Sequence, residues 1–256
     1  MELDQYGKTL AVDIAFWRQG FIDPAYPIEQ MGKMSIELSG KYRAIAILAL
    51  LVGGSSDLYF HHLIRSARIR IIYLERLKKE KVFDDHHQSS GRYDAFLDVV
   101  AAGDFNLAKR IVGLSPNDWR KGHEYEDDYC YAQILHRFVL ESPSIEEIQS
   151  LLTQFETYLD GEPNARFDVC KALMEKDQEA FDVAFEALLA DQENRIEENK
   201  ERGQLEDPIV IANRLVFVEG LAILRLAENK GLQTQREYRF CPSLARIPMV
   251  KPFPGE

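Results

Sequence analysis

Two passages, Phe96-Leu-Asp-Val-Val-Ala-Ala-Gly-Asp-Phe-Asn-Leu-Ala-Lys-Arg-Ile111 and Val169-Cys-Lys-Ala-Leu-Met-Glu-Lys-Asp-Gln-Glu-Ala-Phe-Asp-Val-Ala184, decide the fold. Each reads as a helix, a tight turn ending in Asp, and a second helix with apolar residues at helical spacing. At an offset of 73 residues Asp104 matches Asp177, Val100 matches Leu173 and Val112 matches Phe185. Such pairs predict antiparallel hairpins stacked side by side. The 34-residue tetratricopeptide consensus does not recur, so the expectation is a repeat-like all-α chain.

Working outward, punctuation sets the other helices. Residues 5–19 carry Leu10, Ile14 and Trp17 on one side, and Asp23-Pro-Ala-Tyr-Pro27 prevents the helix from continuing. Residues 28–38 and 41–52 read as a second helical region, its latter half apolar nearly all round and therefore central. Gly53-Gly-Ser-Ser56 breaks the chain and caps the next helix, 57–81. It lacks the Lys-Ser/Thr of a phosphate loop. Further helices are expected at 92–102, 104–113, 127–140, 145–159, 164–175, 178–202 and 208–229. Ser144 with Glu147 forms a capping box, and Asp207-Pro208 opens the last helix. No stretch alternates with period two. Phe240 to Pro254 is a proline-rich tail expected to lie extended over the helices. Phe83-Asp-Asp-His-His-Gln-Ser-Ser-Gly91 is the best internal boundary, separating an N-terminal region, 1–90, from a hairpin region, 91–256, within what reads as one continuous domain.

Charge narrows the function. The chain of 256 residues carries a formal net charge of −11, which argues against nucleic acid as a partner and favours basic proteins. From Glu141 to Asp207 there are 19 acidic and 6 basic residues; from Lys41 to Lys81 there are 9 basic and 3 acidic. The basic helix face, from Arg65 through Lys81, reads as a solvated face or a counter-surface for the acidic half. The N-terminus lacks a signal-peptide pattern, and the longest apolar run, Ala44 to Val52, is too short for a bilayer. No membrane association and a cytoplasmic location are the expectation. Cys130, Cys170 and Cys241 suit reduced thiols rather than disulfides or a zinc module.

Catalytic patterns are missing. No Gly-x-Ser-x-Gly elbow occurs, and Cys130 and His136 fall on different helix faces. His61, His86 and His87 are the metal-capable histidines, but none has the i, i+4 spacing of a zinc helix. No cofactor or metal is expected, and an enzyme is the least favoured class. Gly122-His-Glu-Tyr-Glu-Asp-Asp-Tyr-Cys-Tyr131 instead looks like an exposed acidic loop entering a helix, with aromatic area suited to a protein partner. Of Tyr129 and Tyr131, one is expected to face inward and one outward. The candidate contact residues are Glu124, Tyr125, Glu126, Asp127 and Asp128, with Glu193, Glu197 and Glu198 secondary. Glu193 and Glu197, four apart, share a helix face.

Ala101-Ala-Gly-Asp104, Ser115-Pro116, Glu124 to Asp128, Gly161-Glu-Pro163, Phe217-Val-Glu-Gly-Leu221 and Cys241-Pro242 together resemble the immunity protein 49 family of bacterial polymorphic-toxin systems. The resemblance runs from about Tyr93 to Arg246 and is much less distinct over the first 90 residues. It implies a non-enzymatic protein that binds and neutralises a cognate toxin made by the same cell or its kin, with type VI secretion among the delivery routes. A basic, nuclease-type toxin would suit occlusion by an acidic surface. A helical scaffold binding several peptides, and a metal-dependent enzyme using His61, His86 and His87, remain the alternatives.

Overall fold

Helix starts fall where short polar side chains can accept an orphan amide. Ser55 accepts from Leu58 N at 3.2 Å, Asp104 from Leu107 N at 3.0 Å, Asn164 from Phe167 N at 3.1 Å, Asp177 from Ala180 N at 3.0 Å and Asp207 from Ile209 N at 2.7 Å. Ser144 accepts from Glu147 N at 3.2 Å, but Glu147 does not reach back. Its carboxylate turns to Arg137 at 3.4 Å, so only half of the capping box forms.

The computed structural model describes residues 3–204 and 207–254. Among them are eleven α-helices and no strand: α1 (Leu3–Phe21), α2 (Ile28–Leu51), α3 (Ser56–Glu80), α4 (Asp94–Ala101), α5 (Phe105–Leu114), α6 (Glu126–Phe138), α7 (Ile145–Leu159), α8 (Ala165–Glu175), α9 (Gln178–Glu201), α10 (Pro208–Asn213) and α11 (Val218–Lys230). The fold is all-α, as the punctuation predicts. α2 and α3 form the longest hairpin, with α1 against α2 and α4 against α3 and α11. Successive pairs α6–α7, α7–α8 and α8–α9 stack beyond it, which gives the repeat-like arrangement. One buried cluster joins residues from Leu10 to Ala245, and a smaller one between α1, α2 and α3 holds Phe21, Met31, Leu38, Tyr73 and Leu77.

Three expectations are corrected. The second helical region, expected over 28–38 and 41–52, includes Ser39-Gly40 as well and is one helix, because packing there rewards continuity. Ser39 Oγ donates to Ser66 O at 3.1 Å, and a Cβ on Gly40 would sit 3.4 Å from Ile209 Cδ1, so the small residue lets α10 approach α2 closely. The roughly 1 kcal/mol cost of a helical glycine is offset by that contact. Conversely, the single helix expected over 208–229 splits into α10 and α11. Phe217 is extended (φ −90°, ψ 90°), and its amide bonds the Phe240 carbonyl at 2.8 Å rather than a carbonyl one turn back. Finally, Tyr129 and Tyr131 are both buried, since α6 is enclosed by neighbours on both sides.

The basic face of α3 is solvated at Lys78, Lys79 and Lys81, while two of its arginines hold backbone carbonyls of other segments. Arg70 is buried and donates to the carbonyls of His87, Gln88 and Ser89, pinning the Phe83–Gly91 segment. Arg76 does the same for the carbonyls of Asp23, Pro24 and Tyr26. The tail lies over the start of α3, where Asp57 accepts from Val250 N at 2.8 Å and Lys251 N at 3.1 Å, and Phe253 stacks 4.4 Å from the Arg68 guanidinium.

Candidate functional site

The segment between α5 and α6 is shaped by contacts to its carbonyls. α5 ends at Ser115-Pro116, and Gln133 Nε2 donates to Pro116 O at 2.9 Å while Tyr129 OH donates to Asn117 O at 2.6 Å. Trp119 Nε1 reaches Glu124 O at 3.4 Å, which folds the loop back on itself. The loop delivers Glu124 and Tyr125 to the start of α6, where Glu126, Asp127 and Asp128 occupy the first turn and favour the helix dipole.

The predicted acidic residues therefore lie together, but not in an exposed loop. Glu124 is half-buried: Oε2 accepts from Gly91 N at 2.6 Å and Ser90 Oγ at 3.4 Å, while Oε1 is buried without a partner. Burial pushes its carboxyl upward despite those bonds. A Cβ on Gly91 would stand 2.9 Å from Oε2 and 3.1 Å from Asp128 Cβ, so glycine leaves room for this approach. Glu126 accepts from Gln154 Nε2 at 2.8 Å, tying α6 to α7. Asp127 has a buried, unpaired Oδ1. Asp128 accepts from Tyr93 OH at 3.1 Å and lies 3.6 Å from Arg166; burial raises its carboxyl too.

Tyr125 alone of the five is fully presented, at 73% exposure. Tyr158 of α7, missed in the sequence, is 44% exposed, and Asp127 and Glu126 beside it push its hydroxyl upward. A cleft of about 470 Å³ opens here, lined by Trp119, His123, Glu124, Tyr125, Glu126, Asp128 and Tyr158. Glu126 and Tyr158 are shared with a groove of about 640 Å³ running along α7 past Ser150, Thr153 and Thr157. The secondary residues are elsewhere, on the last turns of α9. Glu193 pairs with Arg239 at 2.5 Å, Glu197 with Lys200 at 3.0 Å and Glu198 with Arg202 at 3.3 Å. Among the described residues no hydrogen bond or ion pair joins them to the α6 set.

Beneath the cleft lies a charge network that sequence reasoning did not find. Arg166 of α8 holds Glu219 of α11 bidentately, at 2.7 and 2.9 Å, and Tyr131 OH adds a third bond at 3.0 Å. The guanidinium sits over the rings of Tyr93 and Tyr131, 5.4 and 5.1 Å from their centroids. Burial opposes ionisation of Glu219, but Arg166 outweighs it and holds the carboxyl below its usual range. A second network joins Arg43 of α2 to Asp98 at 2.6 Å and Asp94 at 2.7 Å, with Ser66 Oγ donating to Asp98 at 2.5 Å. There burial wins and pushes Asp98 up to about 6, whereas Arg43 lowers the more open Asp94. The available signal was a lone carboxylate inside an apolar helical run, Phe96-Leu-Asp-Val-Val100 and Phe217-Val-Glu-Gly-Leu221.

The remaining reactive groups among the described residues are individually buried or paired. His61 is buried, with Nε2 3.0 Å from Lys251 O and its ring edge-on to Phe253, apart from the other two histidines. Asp85, His86 and His87 could supply three ligand atoms within 4.8 Å of one another, but His87 Nδ1 is 2.8 Å from Asp85 Oδ1. His136 is buried against Phe96 and stays neutral, its imidazole pushed down to about 3 by burial. All three cysteines are free and buried; burial raises Cys130 and Cys241 to about 12 and Cys170 well above its usual value. No helix among the described residues is long and apolar enough to cross a membrane.

The family model described as immunity protein 49 matches residues 41–245. The chain belongs to the immunity protein 49 family. The match begins well before Tyr93, so the family region takes in the second half of α2 and all of α3 as well as the hairpins. Neither a curated protein nor a solved structure matches the chain. The clefts, the Arg166–Glu219 pair and the Arg43–Asp98 pair all fall within the family region; all of α1, the first half of α2 and the tail beyond Ala245 do not.

Proposed function

We propose that this immunity-family protein binds one cognate toxin and neutralises it by covering the toxin's functional surface, without chemistry of its own. The observation that carries the docking site is that exposed Tyr125 and Tyr158 line one cleft with Glu126, which the groove along α7 continues, with Asp127 near Tyr158. Tyrosine offers large contact area at low entropic cost, and carboxylates around it favour Lys and Arg on the partner. A basic, nuclease-type effector domain is the partner this chemistry suits, because a nuclease groove is itself cationic. Membership of an immunity family and the overall charge of −11 point the same way.

In this reading the eight acidic and aromatic candidates divide by role. Tyr125, Glu126 and Asp127 touch the toxin. Glu124 and Asp128, tied to Gly91 and to Tyr93 and Arg166, fix the angle at which they are presented. Glu193, Glu197 and Glu198 form a secondary acidic patch that speeds encounter more than it adds affinity.

Co-expression with the toxin encoded by the adjacent reading frame tests the function. Cells protected at equal protein levels support it; cells that die refute it. For the surface, Tyr125→Ala should weaken toxin binding by about thirtyfold, the loss of roughly 2 kcal/mol at a hot spot. Unchanged affinity in a folded Tyr125→Ala/Asp127→Lys variant would move the contact elsewhere on the molecule.

A further inference from the structure

A pocket of about 170 Å³ lies between α9, α10 and the start of α11, away from the α6 cleft. Its polar wall is unusual for so acidic a chain. Arg195 and Arg214 both line it, and among the described residues neither makes an ion pair or a hydrogen bond. Asn199 and Asn213 also line it, and their side-chain amides have no partner among the described residues. Gln192 is buried beside them and spends its Nε2 on Asn213 O at 3.2 Å.

The two carboxylates in the wall are already committed. Asp94 is held by Arg43 at 2.7 Å, and Glu219 by Arg166 and Tyr131. Arg43 is engaged in turn through three of its five N–H donors, with Nε on Asp98, Nη1 on the Asp94 carboxylate and Nη2 on the Asp94 carbonyl. What remains without a protein partner is two guanidinium groups, Arg195 exposed and Arg214 half-buried, which only donate, and two half-buried amides able to donate. Phe217 at the N-cap of α11 offers no acceptor either, so the first amides of that helix, from Val218 and Glu219 in the pocket wall, are left uncapped.

We propose that this pocket binds a small oxyanion, a carboxylate or phosphate group, between Arg195 and Arg214. The volume admits such a group with a few waters, at about 30 Å³ for each water. Two guanidinium forks give the planar, charge-assisted contacts that suit either anion. The site lies away from the α6 cleft, on the stretch of α9 that also carries Glu193, Glu197 and Glu198, and its occupancy would brace α9 against α10 and α11.

The test is calorimetric titration of the full chain with inorganic phosphate and, separately, with acetate, at constant ionic strength balanced with chloride. The expected result is saturable one-to-one binding of at least one probe. Binding should weaken about tenfold or more in Arg195→Gln/Arg214→Gln, the loss of two charge-assisted hydrogen bonds. Arg195 lies near enough to Asp94 and Glu219 to help hold both carboxyls down, so the double variant should keep the wild-type circular dichroism with at most a small fall in melting temperature. Arg239→Gln, a surface arginine paired with Glu193 outside the pocket, should bind like wild type. Saturation by phosphate alone assigns a phosphoryl-type ligand, and by acetate alone a carboxylate. The proposal is overturned if neither probe saturates, or if the folded double variant binds as the wild type does.

Discussion

The hairpins α4–α5 and α8–α9 use the same local device, an Asp that accepts the third amide along at 3.0 Å. Their surroundings differ. Every residue of α4 from Ala95 to Ala101 is buried, Asp98 included, whereas its counterpart α8 exposes Asp168, Lys171 and Glu175. The two passages therefore agree in backbone grammar and disagree in what they bury. A turn and a cap are set by a few adjacent residues; the depth at which a helix sits is set by everything packed on it. In each hairpin one charge is carried inward, Asp98 to Arg43 and Arg166 to Glu219.

The largest expected break comes from Arg166→Met. It leaves Glu219 buried without its cation and should cost about 3–5 kcal/mol, read by denaturant unfolding. Wild-type stability after that change would mean α8 is not locked to α11 through charge. The α4 side should respond to pH instead. Asp98 is raised in the folded state, so its contribution is fully present below the unfolded carboxylate value near 3.8 and is lost as pH rises through about 6. The stability of Asp98→Asn relative to wild type should consequently improve between pH 4 and pH 6. A difference that is flat with pH would contradict the buried placement.

The caps should cost nearly the same in both hairpins. Asp104→Ala and Asp177→Ala are each expected to lose about 1 kcal/mol, because the bond replaced is local and alike. Thermal melts of the two variants make the comparison, and a much larger loss at Asp104 would show that its turn also bears on packing around α4. Smallest of all is Glu198→Ala on α9. Its exposed pair with Arg202 should be worth under about 0.5 kcal/mol.

These contrasts mark what was legible in the chain. Helix type, most boundaries and the caps at Ser55, Asp104, Ser144, Asp177 and Asp207 were readable because each depends on neighbours in sequence. The continuity of α2 through Gly40 and the break at Phe217 were not. One depends on Ile209 and the other on the Phe240 carbonyl, both far along the chain. The α6 acidic run was found as a group, yet its burial was not, since Gly91, Tyr93 and Arg166 come from other elements. Tyr158 gave no signal at all: on its own helix it is an ordinary surface tyrosine, and only the stacking of α7 on α6 brings it beside Tyr125.

The three enclosed cysteines have a practical corollary. With every native thiol shielded and held protonated at neutral pH, maleimide reagents should leave the folded wild-type chain unmodified. A single cysteine introduced at Val183, on the open side of α9, would then be the sole attachment point for a dye or spin label. Distances to a bound partner could be measured from it without first removing the native residues.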